Sequence, residues 1–251
     1  MLKVAHRTLE LLEYICTSPQ KEFSVTELSQ RLGLNKTKVY RMLRVLAERD
    51  YLRHDEKTGR YHLGLKPLEL GTQVAAKTGL LEVVSPYMEK LSREIKETIN
   101  LAVMRSNKIV YIHKIESPHF LRTDLRVGTS VPVYCSALGK AMLAWLPEQE
   151  QEKILGALEM VAYTPHTITC LEDLKLELKR IRDKGYAVDN EEYISGITCI
   201  AAPILDGHKK PVAAISAAGP SLRLNGEKIT QSGELIARYA AEISFRYGYS
   251  K

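Results

Sequence analysis

The chain has 251 residues, room for two domains, with 45% hydrophobic and 26% charged residues and a formal net charge of +6. That balance excludes a disordered or low-complexity chain, and no apolar run approaches the ~18 residues a membrane-spanning helix needs. Four scattered cysteines, Cys16, Cys135, Cys170 and Cys199, follow neither metal-ligand nor disulfide-framework spacing, so reduced thiols and a cytoplasmic protein are expected.

Met1-Leu2-Lys3 runs directly into an amphipathic pattern rather than a signal peptide. The pattern predicts a helix over Val4 to Thr17, with Ala5, Leu9, Leu12 and Cys16 on one stripe, stopped at Ser18-Pro19. Ser24 and Glu27 then form a capping box, which starts a second helix at Val25, with Val25, Leu28 and Leu32 on one face. Gly33 ends it by tolerating positive φ. Asn35 caps a third helix whose inner positions are Val39, Met42, Leu43 and Leu46. Lys36, Lys38, Tyr40, Arg41 and Arg44 are left outside. Two short β-like runs, Tyr51–His54 and Arg60–Leu63, flank the polar turn Asp55-Glu56-Lys57-Thr58-Gly59.

Helix, turn, basic helix and hairpin in that order make a winged helix-turn-helix. Its second helix fits a DNA major groove while the preceding helix crosses the backbone. A Lys/Arg stripe on a helix is commonly just a solvated face. Here the caps, the glycine turn, the basic face and the hairpin all agree on the DNA-binding alternative. The charge distribution agrees too. Residues 1–80 hold 14 Lys and Arg against 9 Asp and Glu, whereas residues 81–251 hold 22 against 21. The basic excess therefore belongs to the half that looks like a reader of phosphate.

Leu65 to Gly79 predicts a connecting helix. Pro67 is tolerated in its first turn, and Leu68, Gln73, Val74, Ala75 and Ala76 keep the composition helical. Another long helix covers Leu80–Glu97 despite Pro86. From Thr98 the residues alternate. Thr98–Arg105 and Ile109–Glu116 read as a hairpin, and Arg122–Val127 as a further strand. A helix opens near Ser136 within Tyr134–Leu146, and amphipathic helices follow at Glu148–Leu158 and Leu171–Lys184. Strands are expected at Tyr186–Tyr193, Cys199–Leu205 and Pro211–Ala218, with a closing helix over Gly226–Arg246. Strands grouped with helices around them indicate an α+β domain built on an antiparallel sheet.

The winged helix together with SALGKAMLA (Ser136–Ala144), GYAVDNEEYISGITCIAAPI (Gly185–Ile204) and AAISAAGP (Ala213–Pro220) resembles the isocitrate lyase regulator (IclR) family of bacterial transcription factors. The resemblance spans nearly the whole chain. It implies a winged helix-turn-helix over residues 1–64, a linker helix over 65–79 and a GAF-like effector domain over 80–251. It also implies a homodimer or homotetramer and a small carboxylate effector, and a dimer reads a pseudo-palindromic double-stranded operator. No cofactor, metal or membrane partner is expected, since no local spacing argues for a metal and no apolar run is long enough to span a membrane.

The residues supply their own argument for the effector. A helix opening at Ser136–Leu138 presents unpaired backbone N–H groups, a seat for a carboxylate. In the family pattern the positions matching Ala137 and Leu138 provide such amides. Asp189 matches a polar pocket group, Ile197 an apolar wall, and Cys199 and Ser216 short polar side chains. Ala218 stands where the family often has serine. Alternation adds Met104, Tyr111 and Tyr134 as candidates.

For DNA, Lys36, Thr37, Lys38 and Tyr40 suit phosphates or base edges, and Arg41 suits guanine or phosphate. Lys38 stands where the family commonly has a hydroxyl residue. Ser24 and Thr26 are candidates for clamping the backbone, and Arg60 in the wing for an adjacent minor groove. Arg44 pairs with Glu48 at i+4 or is solvated. The competing class is an enzyme, with Cys199 as nucleophile and His113, His119, His166 or His208 as base. No signature surrounds that cysteine, and a regulator is expected.

Overall fold

A computed structural model of the protein describes residues 2–248. Met1 and residues 249–251, which complete the two expected domains, lie outside the described residues, as do the side chains of Val74, Ala75 and Ala76. The chain divides into two compact units, Met1–Gly79 and Leu80–Lys251.

The first unit contains α1 (Leu2–Thr17), α2 (Val25–Leu32), α3 (Lys36–Glu48), the hairpin β1 (Leu52–Asp55) and β2 (Arg60–Leu63), and α4 (Lys66–Thr78). Ser24 accepts from the Glu27 N–H while the Glu27 carboxylate accepts from the Ser24 N–H at 2.7 Å, a complete capping box. Gly33 turns left-handed at φ 62°, and Asn35 caps α3 by accepting from the Lys38 N–H at 2.9 Å. Leu28, Val39, Leu43 and Leu46 close on Leu11, Ile15, Phe23 and the wing residues Leu52 and Tyr61. Phe23 and Tyr61 exchange backbone hydrogen bonds of 2.9 and 2.8 Å, which tie the wing to the entry of α2. Gly64 is dictated by crowding, since a Cβ there would lie 2.1 Å from the Asp50 carbonyl oxygen.

One expectation fails in this unit. The buried stripe of α1 is Leu11 and Ile15, whereas Ala5, Leu9 and Cys16 are exposed and Leu12 is half-buried. Only the C-terminal half of α1 meets the small core, so periodicity along the whole helix picked the wrong face.

The second unit comprises α5 (Leu80–Ile95), β3 (Thr98–Arg105), β4 (Lys108–Ile115), β5 (Ser130–Pro132), α6 (Ala137–Trp145), α7 (Glu148–Leu155), α8 (Leu171–Lys184), β6 (Ala187–Asn190), β7 (Ile197–Leu205), β8 (Pro211–Pro220) and α9 (Gly226–Arg246). The six strands form an antiparallel sheet in the order β5-β4-β3-β8-β7-β6. Alternation divides its residues between two cores. Ile99, Leu101, Ile200 and Ile215 pack on one face with Val84, Met88 and Leu91 of α5 and Ile236 and Ile243 of α9. The other face presents Ala102, Ala201 and Ala214 to Leu138, Ala141 and Met142 of α6, with Leu174 and Leu178 of α8 behind. Asn100, Ala201 and Ser216 align in register, as do Asp189, Cys199 and Ala218. Small side chains on that face leave a hollow under α6.

Two strands differ from expectation. Arg122–Val127 forms no strand; β4 instead pairs with Ser130–Pro132, while Thr123 and Leu125 turn inward. The strand expected over Tyr186–Tyr193 stops at Asn190, because Glu191 adopts φ 63° and turns the chain out of the sheet.

Candidate functional site

On the first unit, Lys36, Thr37, Lys38, Tyr40 and Arg41 are all exposed along α3, opposite its buried stripe. Lys36, Lys38 and Arg41 have no carboxylate partner among the described residues. Arg44 is paired with Glu48 at 3.1 Å. Thr26 is exposed at the start of α2, and the Ser24 side-chain oxygen accepts in the cap. Arg60 is placed differently from a groove-reaching arginine. Its Nη2 donates to Glu27 at 3.0 Å and its Nε lies 3.0 Å from Glu22. It thus fastens the wing to the capping box, while Arg53 and Lys57 stay free of carboxylate partners among the described residues.

On the second unit, a narrow cavity of about 20 Å³ lies between the N-terminus of α6 and the sheet. Ala137, Leu138, Asp189, Ile197, Cys199 and Ser216, expected from three separate stretches, all line it. The α6 opening is built for close approach. Ser136 caps the helix by accepting from the Gly139 N–H at 3.2 Å, and its hydroxyl donates to the Pro132 carbonyl at 2.9 Å. A Cβ on Gly139 would sit 2.3 Å from the Val133 carbonyl oxygen, so only glycine lets the helix lie against the preceding segment. The N–H groups of Ala137 and Leu138 remain without acceptors among the described residues, as helix geometry requires of a first turn.

The alternation argument was right for Tyr111, which lines the cavity, and wrong for two others. Tyr134 turns its hydroxyl to the Val161 backbone, donating to the carbonyl and accepting from the N–H, both at 2.8 Å. Met104 lies at a separate open groove with Met142 and Leu146. Ser136, read as the start of α6, also lines the cavity, and missed entirely were Thr123, Leu125, Tyr193 and Ile194. Thr123 is 7% exposed and its hydroxyl has no hydrogen-bond partner. Such an orphan is what a polar ligand would satisfy.

Beside the cavity sits a buried ion pair. Lys140 of α6, 1% exposed, points its ammonium at the Glu192 carboxylate and donates to the Val188 carbonyl at 2.7 Å. Asp189, 4% exposed, accepts from the Glu192 N–H at 2.7 Å. Burial, then the neighbouring Glu192 charge, push its carboxyl up to about 7 against those hydrogen bonds and Lys140.

The same burial suppresses thiolate chemistry. The Cys199 thiol is pushed well above its ordinary value by burial and by the Asp189 and Glu192 charges, and Cys135 rises to about 12. Cys199 touches the cavity surface while lying deep in the fold. No histidine is among the lining residues. His119, His166 and His208 are exposed, and His113 stands in register with Leu101 on the opposite face of the sheet. Among the described residues no group of three His, Cys, Asp or Glu side chains is placed to hold a metal, and no helix is long and apolar enough to cross a membrane.

Residues 4–56 match the IclR helix-turn-helix domain, and residues 72–245 match the family described as bacterial transcriptional regulator IclR C-terminal. The chain belongs to the IclR family of bacterial transcriptional regulators. It is 37% identical over 230 residues to the HTH-type transcriptional regulator KdgR of Escherichia coli K12, covering 92% of this chain and 88% of that protein. It is 32% identical over 244 residues to the transcriptional repressor IclR of the same organism, covering 96% and 89%. Among solved structures, Thermotoga maritima IclR superposes with a TM-score of 0.80 at 32% identity, covering 99% of this chain and all of that one. This IclR-family protein is therefore a DNA-binding transcriptional regulator with an N-terminal helix-turn-helix and a mixed α+β C-terminal domain.

Proposed function

We propose that this regulator is a repressor of a catabolic operon, gated by a small carboxylate metabolite held in the cavity under α6. The observation that carries the reading is convergence. Two amide donors at the mouth of α6, the Ser216 hydroxyl and the orphaned Thr123 hydroxyl face one enclosed space beside Leu125 and Ile197. Amides at a helix opening favour an anion, and apolar walls favour a small carbon skeleton. Residues 1–64 act as the DNA reader, 65–79 as the linker and 80–251 as the effector domain.

On DNA, Lys36, Thr37, Lys38, Tyr40 and Arg41 enter the major groove, Ser24 and Thr26 hold the backbone, and Arg60 fixes the wing against α2. A homodimer or homotetramer reads two half-sites of a pseudo-palindrome, a geometry that ties half-site spacing to the protein's two-fold axis. The effector changes DNA affinity only to the extent that it binds one arrangement of the protein better than another. Fluorescence anisotropy on the DNA upstream of the protein's own gene, with scrambled competitor and a panel of small carboxylic acids, tests this. Competitor-resistant binding weakened by one acid supports the reading. Specific binding that no acid alters would remove the effector assignment and leave the regulator.

A further inference from the structure

The cavity under α6 contains an acid and no cation. Asp189 lines it, whereas no lysine, arginine or histidine does. Two ammonium groups lie close by and both are already engaged, Lys140 with the Glu192 carboxylate and the Val188 carbonyl, and Lys114 with Glu116 and the Thr123 carbonyl. A carboxylate seated on the Ala137 and Leu138 amides would share a closed, weakly solvated space with the Asp189 carboxylate. Two carboxylates in one such site do not both stay ionised.

We propose that the effector enters as a monoanion together with one proton, which resides on Asp189, and that dianionic analogues are refused. The proposal rests on the reading of this cavity as the effector site. The proton comes from solvent and no bond of the ligand breaks. The neutral Asp189 carboxyl then donates its O–H instead of repelling the anion, and the cavity gains no net charge.

Asp189 lines the cavity among groups that burial holds away from ionisation. Cys199 of β7, Cys135 ahead of α6, Tyr111 of β4 and Tyr193 after β6 are all held neutral, their ionisation pushed upward by burial. Lys140 of α6 and Glu192 after β6 form an ion pair, and burial pushes the Glu192 carboxyl upward against that pairing. Asp189 itself stands at about 7 in the empty cavity, so its proton is available near neutral pH. The sign follows directly. Below that value Asp189 already carries the proton and affinity is flat. Above it the proton must be taken up, and affinity falls about tenfold per pH unit.

Isothermal titration calorimetry of the full chain from pH 5.5 to 9 tests this, with lactate, pyruvate and gluconate as monoanions and malonate and succinate as dianions. A monoanion is expected to bind with constant Kd below pH 7 and a tenfold rise per unit above it. Buffers of different ionisation heat should count close to one proton taken up at pH 8, and at that pH, where malonate and succinate carry both charges, they should bind at least tenfold more weakly. Whatever affinity Asp189→Asn retains should lose the pH slope. A wild-type Kd that stays constant to pH 9 with no proton uptake, or a dianion bound as tightly as the monoanions, would overturn the proposal while leaving the carboxylate site standing. Failure of every acid to bind at every pH overturns the carboxylate site itself, and the proposal with it.

Discussion

The two units of this regulator place their chemistry in opposite ways. In the first, the proposed DNA-contacting groups are long exposed side chains on one face of α3, a helix held by the capping box, the Gly33 turn and the Phe23–Tyr61 bridge. In the second, the proposed working groups are backbone amides and short side chains, Ser216, Cys199 and Asp189, lining a narrow cavity under α6. Exposed cations tolerate substitution with local consequences. A buried charge pair beside a cavity does not, because each partner's desolvation is offset only by the other.

That contrast orders the expected effects of mutation. Lys140→Met leaves Glu192 buried and unpaired, and should destabilise the second unit by about 3–5 kcal/mol, with most of the loss recovered on adding Glu192→Gln. The single tryptophan, Trp145 of α6, makes urea unfolding of that unit visible by fluorescence. An unaffected midpoint in the single variant would mean the pair is not buried in solution.

Asp189 gives the next effect, through pH. Its folded-state value of about 7 lies above the ordinary 3.8, so between those values the folded unit holds a proton that the unfolded chain has lost. Stability should therefore fall as pH rises through that window and level off above it, by an amount on the order of 2–4 kcal/mol. Asp189→Asn should flatten the same Trp145-monitored profile between pH 4 and 7.

On the DNA-reading side the effects are smaller and leave the fold alone. Arg41→Ala should weaken operator binding by about 10- to 100-fold, the range for a lost bidentate contact, with the melting temperature unchanged. Equal operator affinity in the variant would remove Arg41 from the interface. Arg44→Ala breaks only an exposed i,i+4 pair with Glu48, and should change stability by no more than about 0.5 kcal/mol in a thermal melt.

The same contrast explains what could be read from the sequence. Caps, turns and glycines are local, so α2, α3, the wing and the α6 opening were legible from Ser24, Glu27, Gly33, Asn35 and Ser136. Gly139 was not singled out, although its cause is as local, since its space is set by Val133 six residues away. The resemblance to the family brought Ala137, Leu138, Asp189, Cys199 and Ser216 together on paper before the fold did so in space.

Long-range pairings were not legible. Lys140 reads as one more helix lysine, and its partner Glu192 lies 52 residues on. The signal was there in retrospect: a lone charge in the apolar run ALGKAMLAW, and an excess of acids in Asp189-Asn190-Glu191-Glu192. The ion pairs of Arg60 were not legible because its partners, Glu22 and Glu27, lie far back along the chain, before and at the start of α2. Thr123 and Leu125 were hidden because RTDLRV alternates like a strand, although it serves as cavity wall. The α1 stripe failed because half of that helix has nothing to pack against within its own unit.

The central claim is that the buried cavity and the exposed helix are coupled. Linkage makes that claim measurable from the cavity side alone. Take the carboxylate that most changes operator affinity and measure its Kd by Trp145 fluorescence or calorimetry, once with free protein and once with protein saturated with operator DNA. Coupling requires the two constants to differ by the same factor by which the acid changes DNA affinity. Identical constants in the presence and absence of operator would show that the cavity and the DNA-reading helix work independently, and would contradict the account.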